Sequence, residues 1–246
     1  MSPFRACAIV PTYNNPRTIE GSVRSLRCHL DYLIVVDDGS DEASRKLIQA
    51  LGRDDGVEAI HRPENGGKGA AVKDGLELAR ERGYSHALQV DADGQHRLED
   101  CPKLLEAARS DPMALVLGEP RFDRSIPRAR LWARRLTVFW TRVEIGSSAI
   151  GDPMCGFRVY PIEAALATRT AANRMDFDPE IAVRMAWAGA PVVRIPTEVR
   201  YVSPAEGGVS HFRMIRDNFL ITWMHTRLVL GAIVRALRRL LPGDSR

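Results

Sequence analysis

The feature that most constrains this chain is an alternation repeated through its first half: short β-branched apolar runs at residues 6–10, 32–36, 57–61, 87–90 and 115–117, separated by longer stretches with helical periodicity. Such alternation is the pattern of βαβ units building a mainly parallel sheet flanked by helices. The intervening helices are expected at 16–30, 42–51, 68–82 and 98–109. Four of the runs end in polar or acidic residues, at Thr12-Tyr13-Asn14, Asp37-Asp38, Arg62-Pro63 and Asp91-Ala92-Asp93. In open α/β sheets ligands bind beyond the carboxyl ends of the strands, so these termini are the candidate site.

The second half is less regular. Residues 119–142 read as an arginine-rich loop followed by a helix, 179–188 as a helix, and 192–195 and 199–202 as strands. The run Ser203-Pro204-Ala205-Glu206-Gly207-Gly208 reads as a boundary. It divides the chain into a domain over 1–208 and an amphipathic helical tail over 209–246. With 246 residues, 45% of them hydrophobic, the chain has material for one large core. In the tail no uninterrupted apolar run reaches the 18 or so residues of a spanning helix. The tail therefore reads as an arginine-flanked helix on a membrane surface, or as a contact with the domain or with a second copy in a homodimer.

The net charge of +4 suits anionic partners without choosing among them. Nucleic acid is disfavoured, because the arginines cluster in helical segments without stacking aromatics laid out on a sheet. Arg128, Arg130, Arg134 and Arg135 face acidic lipid or solvent on this reading. Cys7, Cys28, Cys101 and Cys155 are scattered without CxxC pairs, so reduced thiols are expected rather than a disulfide framework or zinc site. No secretory signal opens the sequence, which places catalysis at the cytoplasmic side.

The strongest local signal is Asp91-Ala92-Asp93-Gly94-Gln95-His96 after an apolar run. Two carboxylates one residue apart at a strand end suit a hard divalent cation, magnesium or manganese, that keeps open positions for phosphates; an acidic turn also serves as a helix cap. Val35-Val36-Asp37-Asp38-Gly39-Ser40 ends another strand with a carboxylate suited to a base edge or ribose. Asn65-Gly66-Gly67-Lys68-Gly69 enters a helix whose free amides and Lys68 meet negative charge, with a surface lysine as the plainer alternative. The spacing GxxxxGK[ST] and a GxGxxG after the first strand are both absent, against kinase and dinucleotide readings.

Taken in order, Ile9-Val10-Pro11-Thr12-Tyr13-Asn14, Val36-Asp37-Asp38-Gly39-Ser40, Asn65-Gly66-Gly67-Lys68-Gly69, Asp91 to His96, Asp152-Pro153-Met154-Cys155-Gly156-Phe157-Arg158 and Phe177-Asp178-Pro179-Glu180-Ile181 resemble the family 2 glycosyltransferases of the GT-A fold. The branch is that of dolichyl-phosphate mannose synthases and bacterial polyprenyl-phosphate glycosyltransferases. The resemblance implies an inverting transfer from a UDP- or GDP-sugar to a lipid-linked or other membrane-proximal acceptor. It implies that Pro11, Tyr13, Asp38 and Asp91 line the nucleotide pocket, and that Asp91, Asp93 and Gln95 surround the metal and diphosphate. Arg121 falls where similar enzymes carry a mobile loop that engages an anionic group. Asp152 and Arg158 lie in a substrate-proximal segment, or Arg158 pairs with a core acid. Asp178 and Glu180 are the candidates for a base if the acceptor is a hydroxyl; a lipid phosphate needs none. Ser210-His211 stands where the branch commonly has Ser-Lys. The competing readings are a nucleotide-sugar-binding scaffold without turnover and a sugar-nucleotide nucleotidyltransferase, which wants a glycine-rich loop with an arginine after the first strand.

Overall fold

The computed structural model describes residues 3–122, 126–200 and 212–240. Its strands are β1 (Ala6–Thr12), β2 (Leu33–Asp37), β3 (Val57–His61), β4 (His86–Gln89), β5 (Leu115–Phe122), β6 (Arg158–Pro161) and β7 (Val192–Val199). Its helices are α1 (Ile19–Arg27), α2 (Glu42–Leu51), α3 (Lys68–Glu81), α4 (Cys101–Ser110), α5 (Arg128–Ile145), α6 (Ile162–Ala167), α7 (Phe177–Trp187) and α8 (Met214–Leu240). The strands form one seven-stranded sheet in the order β3-β2-β1-β4-β6-β5-β7. Only β6 runs against its neighbours.

Because helices cover both faces, the strands are apolar at successive positions rather than alternating. Cys7 and Ile9 of β1 join Ile34, Val36 and Tyr160 beneath α3, α6 and α7. Ala8 and Val10 join Leu33, Val35 and Val159 beneath α1, α2 and α4. The chain leaves β1 for β2 and β3 on one side, then returns to place β4 on the other. The crevice between the carboxyl ends of β1 and β4 is therefore the topological switch point, where helices depart to opposite sides and leave room for a ligand.

The structure departs from the sequence reading in its second half. β6 and α6 were not anticipated, because Arg158-Val159-Tyr160-Pro161 is only four residues long and carries arginine and proline. β5 continues through Phe122 instead of giving way to a loop at Gly118. Past Gly118, whose N–H still donates to the Phe157 carbonyl on the β6 side, it pairs with β7, so Pro120 interrupts no ladder on its other side. Arg121 thus stands on a strand, exposed and in register with Glu198, rather than in a mobile loop. The strand expected at 192–195 runs on to Val199 as an edge strand that tolerates Pro196, while the strand expected at 199–202 reaches beyond the described residues. The boundary segment 203–208 and Ser210-His211 lie outside the described residues.

Among the described residues of the tail, Met214–Leu240 form one helix, α8, packed on α5 and α7. By length and composition it is long and apolar enough to cross a membrane, although no uninterrupted apolar run in it reaches 18 residues. Between Asp217 and Arg235 only Arg227 is charged, so the interruptions that break up its apolar runs weigh little over a full span.

Candidate active site

At the end of β1 the backbone turns through Asn14, which adopts φ 50°, a left-handed conformation that asparagine tolerates better than most residues. Asn14 ties the turn to the end of β2: its N–H donates to Ser40 Oγ at 2.9 Å and its side-chain oxygen accepts from the Asp41 N–H at 2.8 Å. Pro11 is buried within β1 and Tyr13 is half-buried just beyond it. Asp37 is consumed by this scaffold, accepting from the Ser40 N–H and facing His61 Nδ1, each at 2.9 Å.

Asp38 turns toward the glycine loop. It accepts from the N–H groups of Gly66 and Gly67 at 2.9 and 2.7 Å and pairs with Arg62 at 3.0 Å. Burial pushes its carboxyl above the usual range, against the pull of those amides. Gly67, at φ 100°, presses against the backbone of Asn173 and Arg174, where a side chain has no room. The loop so held delivers Lys68 as the first residue of α3.

Lys68 is not a surface lysine. Its ammonium lies 2.6 Å from Asp91 Oδ1 and 2.6 Å from Asp178 Oδ2, joining the end of β4 to the first turn of α7. Burial alone lowers a lysine pKa, yet the two carboxylates hold this one well above its ordinary value. In turn, although burial raises it, the Lys68 charge holds the Asp91 carboxyl well below the usual range, with His96 adding to the effect. Asp93 goes the other way, raised first by burial and then by the charge of Asp91. Its Oδ1 accepts from the Gln95 N–H at 3.0 Å across a turn made by Gly94 at φ 70°.

The loop after Asp91 is pinned at its far end to β7 by the bridge between His96 and Val199. The His96 ring lies against Phe157. Because β6 is antiparallel, the segment entering it, residues 152–157, runs alongside Asp91. Gly156 packs so closely on the Asp91 carboxylate that a Cβ there would overlap it.

Arg158 is fully buried. Its guanidinium donates to the backbone oxygens of Pro153 at 2.8 Å, Asp178 at 2.9 Å and Cys155 at 2.9 Å, and so fixes the loop that carries Gly156. Asp178 sits among Lys68, Arg158 and Gln89, whose amide donates to it at 3.1 Å. Gln89 is itself held by the Tyr160 hydroxyl at 3.0 Å. Glu180, wholly buried, accepts from the N–H groups of Ala171 and Ala172 and pairs with Arg184 at 2.7 Å. Thus Lys68, Asp91, Asp93, Gln95 and Asp178 converge with the β1 turn at the switch point, while Asp38 and Arg158 support them, and Glu180 and Arg121 stand apart.

Sequence reasoning passed over Gln89 and Tyr160, and gave Gly156 no role beyond its place in a motif. Gln89 carried a signal, a polar residue inside an apolar strand; Tyr160 and Gly156 become meaningful only through β6. Beside the site, α5 and the end of β5 line an open groove of about 380 Å³. Phe122, Leu131 and Phe139 form apolar walls, and Arg134, Arg135 and Arg142 line it with charge. Arg134 is fastened to Asp152 at 2.6 Å and stacks over Phe122.

The fold is shared with glucosyl-3-phosphoglycerate synthase from Mycobacterium tuberculosis. Its complex with uridine diphosphate superposes with TM-score 0.69 at 17% identity, over 94% of this chain and 80% of that one. A complex of the same enzyme with Mn2+, UDP-glucose and phosphoglyceric acid gives TM-score 0.68. The fold is that of the GT-A glycosyltransferases. The model described as glycosyl transferase family 2 matches residues 7–166, and the chain belongs to that family: it is a family 2 glycosyltransferase. Among its relatives are an undecaprenyl-phosphate mannosyltransferase of Micrococcus luteus, 30% identical over 78% of this chain and 82% of that one. A polyprenol monophosphomannose synthase of Mycolicibacterium smegmatis is 33% identical over 63% and 61%. A UDP-N-acetylglucosamine–dolichyl-phosphate N-acetylglucosaminyltransferase of Methanococcus voltae is 29% identical over 68% and 74%.

Proposed function

We propose that this enzyme transfers a sugar, with inversion, from a UDP- or GDP-sugar to a polyprenyl-phosphate acceptor at the cytoplasmic face of a membrane. The observation that carries the acceptor class is the state of the two candidate bases. Asp178 is clamped by Lys68, Gln89 and Arg158, and Glu180 is buried in contacts with its own helix and the 171–172 backbone. Both carboxylate oxygens of each are engaged by these partners, so neither presents an open oxygen to an acceptor hydroxyl. A phosphate acceptor arrives already ionised and needs no base, and the groove, in which Asp152 pairs with Arg134, offers Arg135 and Arg142 to hold it beside apolar walls for its lipid. The names of the relatives, which act on undecaprenyl, polyprenol or dolichyl phosphates, agree with this reading.

The donor's nucleotide fits the β1 turn at Pro11 and Tyr13, with Asp38 positioning the glycine loop. Asp91 and Asp93 suit a divalent ion. One carboxylate is held ionised, and the other is raised by burial and by its neighbour's charge, a repulsion that a cation relieves. Among the described residues no group of three or more His, Cys, Asp or Glu is arranged to hold an ion, so phosphates and water would complete the coordination, as is usual for magnesium and manganese. When bound, the ion stabilises the departing diphosphate. Lys68 pairs with Asp91 where no ion is bound, and Gly156, lacking a side chain, gives the carboxylate its room.

The test is release of nucleoside diphosphate from UDP- and GDP-sugars, with undecaprenyl phosphate or a neutral polyprenol, in manganese, magnesium or EDTA. Release that requires both metal and the lipid phosphate, and that Asp93→Ala abolishes, is the expected outcome. Turnover on the neutral alcohol but not the phosphate would overturn the acceptor class, and nucleotide binding without release under every condition would mark a scaffold.

A further inference from the structure

The glycine loop between β3 and α3 is held by two arginines from distant parts of the chain. Arg62, just past β3, pairs with Asp38 at 3.0 Å and with Asp74, and its guanidinium lies where a side chain on Gly66 would stand. Arg174 comes from the segment between α6 and α7. Its side chain lies against Gly67. Its Nη1 donates to Asn65 Oδ1 at 2.8 Å and its Nη2 to the Asn65 carbonyl oxygen at 3.2 Å, so one fork grips both the side chain and the backbone of that residue.

The Asn65 carbonyl and the Gly66 N–H belong to one planar trans peptide group, whose two polar ends point in opposite directions. Arg174 holds the oxygen end, and Asp38 accepts from the nitrogen end at 2.9 Å. With both ends held, the group has one orientation. Rotating it turns ψ of Asn65 and φ of Gly66 together, and glycine in the second position makes that rotation cheap. Without Arg174 the peptide is restrained at its Asp38 end alone, and a half-turn would set a carbonyl oxygen against the Asp38 carboxylate.

The loop acts at both its ends. Asp38 stands beside the β1 turn, and Lys68, the residue after Gly67, reaches Asp91 at 2.6 Å. The segment that carries Arg174 is fastened to α3 separately. The Ala70 N–H donates to the Asn173 carbonyl at 3.0 Å, and Lys73 donates to the Ala172 carbonyl at 2.9 Å and to Asn173 Oδ1 at 2.8 Å. Shortening Arg174 therefore leaves the segment docked and releases only the corner at Asn65.

We infer, resting on the donor site proposed above, that Arg174 is a positioning residue for the donor: it locks the Asn65–Gly66 peptide with its N–H on Asp38 and so keeps the glycine loop in the form that receives a nucleoside diphosphate. A loop that is competent for only part of the time lowers apparent affinity by that fraction. A bound donor restores the form it needs, so the loss falls on binding and spares the transfer step once donor saturates.

UDP and GDP are titrated calorimetrically, with manganese, into the parent, Arg174→Ala, Arg174→Lys, Asn65→Ala and the double variant Arg174→Ala/Asn65→Ala, and donor KM, kcat and melting temperature are measured on the same proteins. The nucleotide that the parent binds should bind Arg174→Ala roughly ten- to a hundredfold more weakly, the span of a charge-assisted hydrogen bond, with donor KM rising alongside and kcat at saturating donor unchanged. Arg174→Lys should recover part of the loss, since an ammonium keeps the charge without the fork. The double variant should bind no more weakly than Arg174→Ala alone, because residues that act as a pair are lost once. Losses that multiply in the double variant would place Arg174 on the nucleotide itself and overturn the positioning role. A fall in kcat or melting temperature at unchanged nucleotide affinity would overturn it as well, in favour of a purely structural one. A parent that binds neither nucleotide removes the donor site and this role together, whereas a parent and Arg174→Ala that bind equally well remove this role alone.

Discussion

Lys68 is the residue on which the site turns. Its ammonium stands between Asp91 and Asp178 at 2.6 Å from each, so the protein carries an internal cation at the place where a divalent ion is expected to bind. Lys68→Met removes it and leaves two largely buried carboxylates facing each other. Two results are expected: a loss of stability of about 3–5 kcal/mol in urea denaturation, the usual cost of breaking a buried pair from one side, and tighter binding of manganese in the absence of nucleotide, because no internal charge then competes for Asp91. Unchanged manganese affinity in a calorimetric titration would mean that the ion and Lys68 do not share Asp91.

At the scale of elements, α7 supplies both acids that the sequence offers as bases, and its first turn buries both. Glu180 ties α7 to the 171–172 backbone and, through Arg227, to α8. Glu180→Ala should therefore lower stability by roughly 3–5 kcal/mol while leaving kcat per folded molecule and donor affinity near the parent's. A fall in kcat of about 10²–10⁴ in protein that is still folded, the size a general base contributes, would restore Glu180 to the chemistry. The same helix shows why such acids mislead: Asp178 and Glu180 favour the helix dipole, so composition alone does not distinguish a base from an acid that seats the helix.

For the whole molecule, stability is linked to pH through His86, which sits at the start of β4 with one ring nitrogen against Ser85 and the other at 3.0 Å from the Pro112 carbonyl. Burial lowers its pKa below the ordinary 6.5. A histidine held neutral in the folded state binds its proton more readily when unfolded, so its contribution is intact above the unfolded pKa and is lost as pH falls through and below about 6.5. The melting temperature should fall less between pH 7.5 and 5.5 in His86→Gln than in the parent, measured relative to each protein's value at pH 7.5. A parallel fall in both would remove His86 from the acid response.

The sequence by itself determined the parallel half of the sheet and the position of the acidic turns, because both follow from local pattern: β-branched runs buried on two faces, and polar residues where each run ends. Asp91, Asp93 and Lys68 were legible for that reason. Tertiary structure decided what each side chain does there. The antiparallel β6, too short and too polar to announce itself, brings Gly156 against Asp91 and buries Arg158 under the loop. The pairing of β5 with β7 turns an apparent loop at Arg121 into strand. The packing of α8 on α5 and α7 settles which of its faces remains exposed. Each of these depends on contacts between residues far apart in the chain, whose partners local periodicity does not specify.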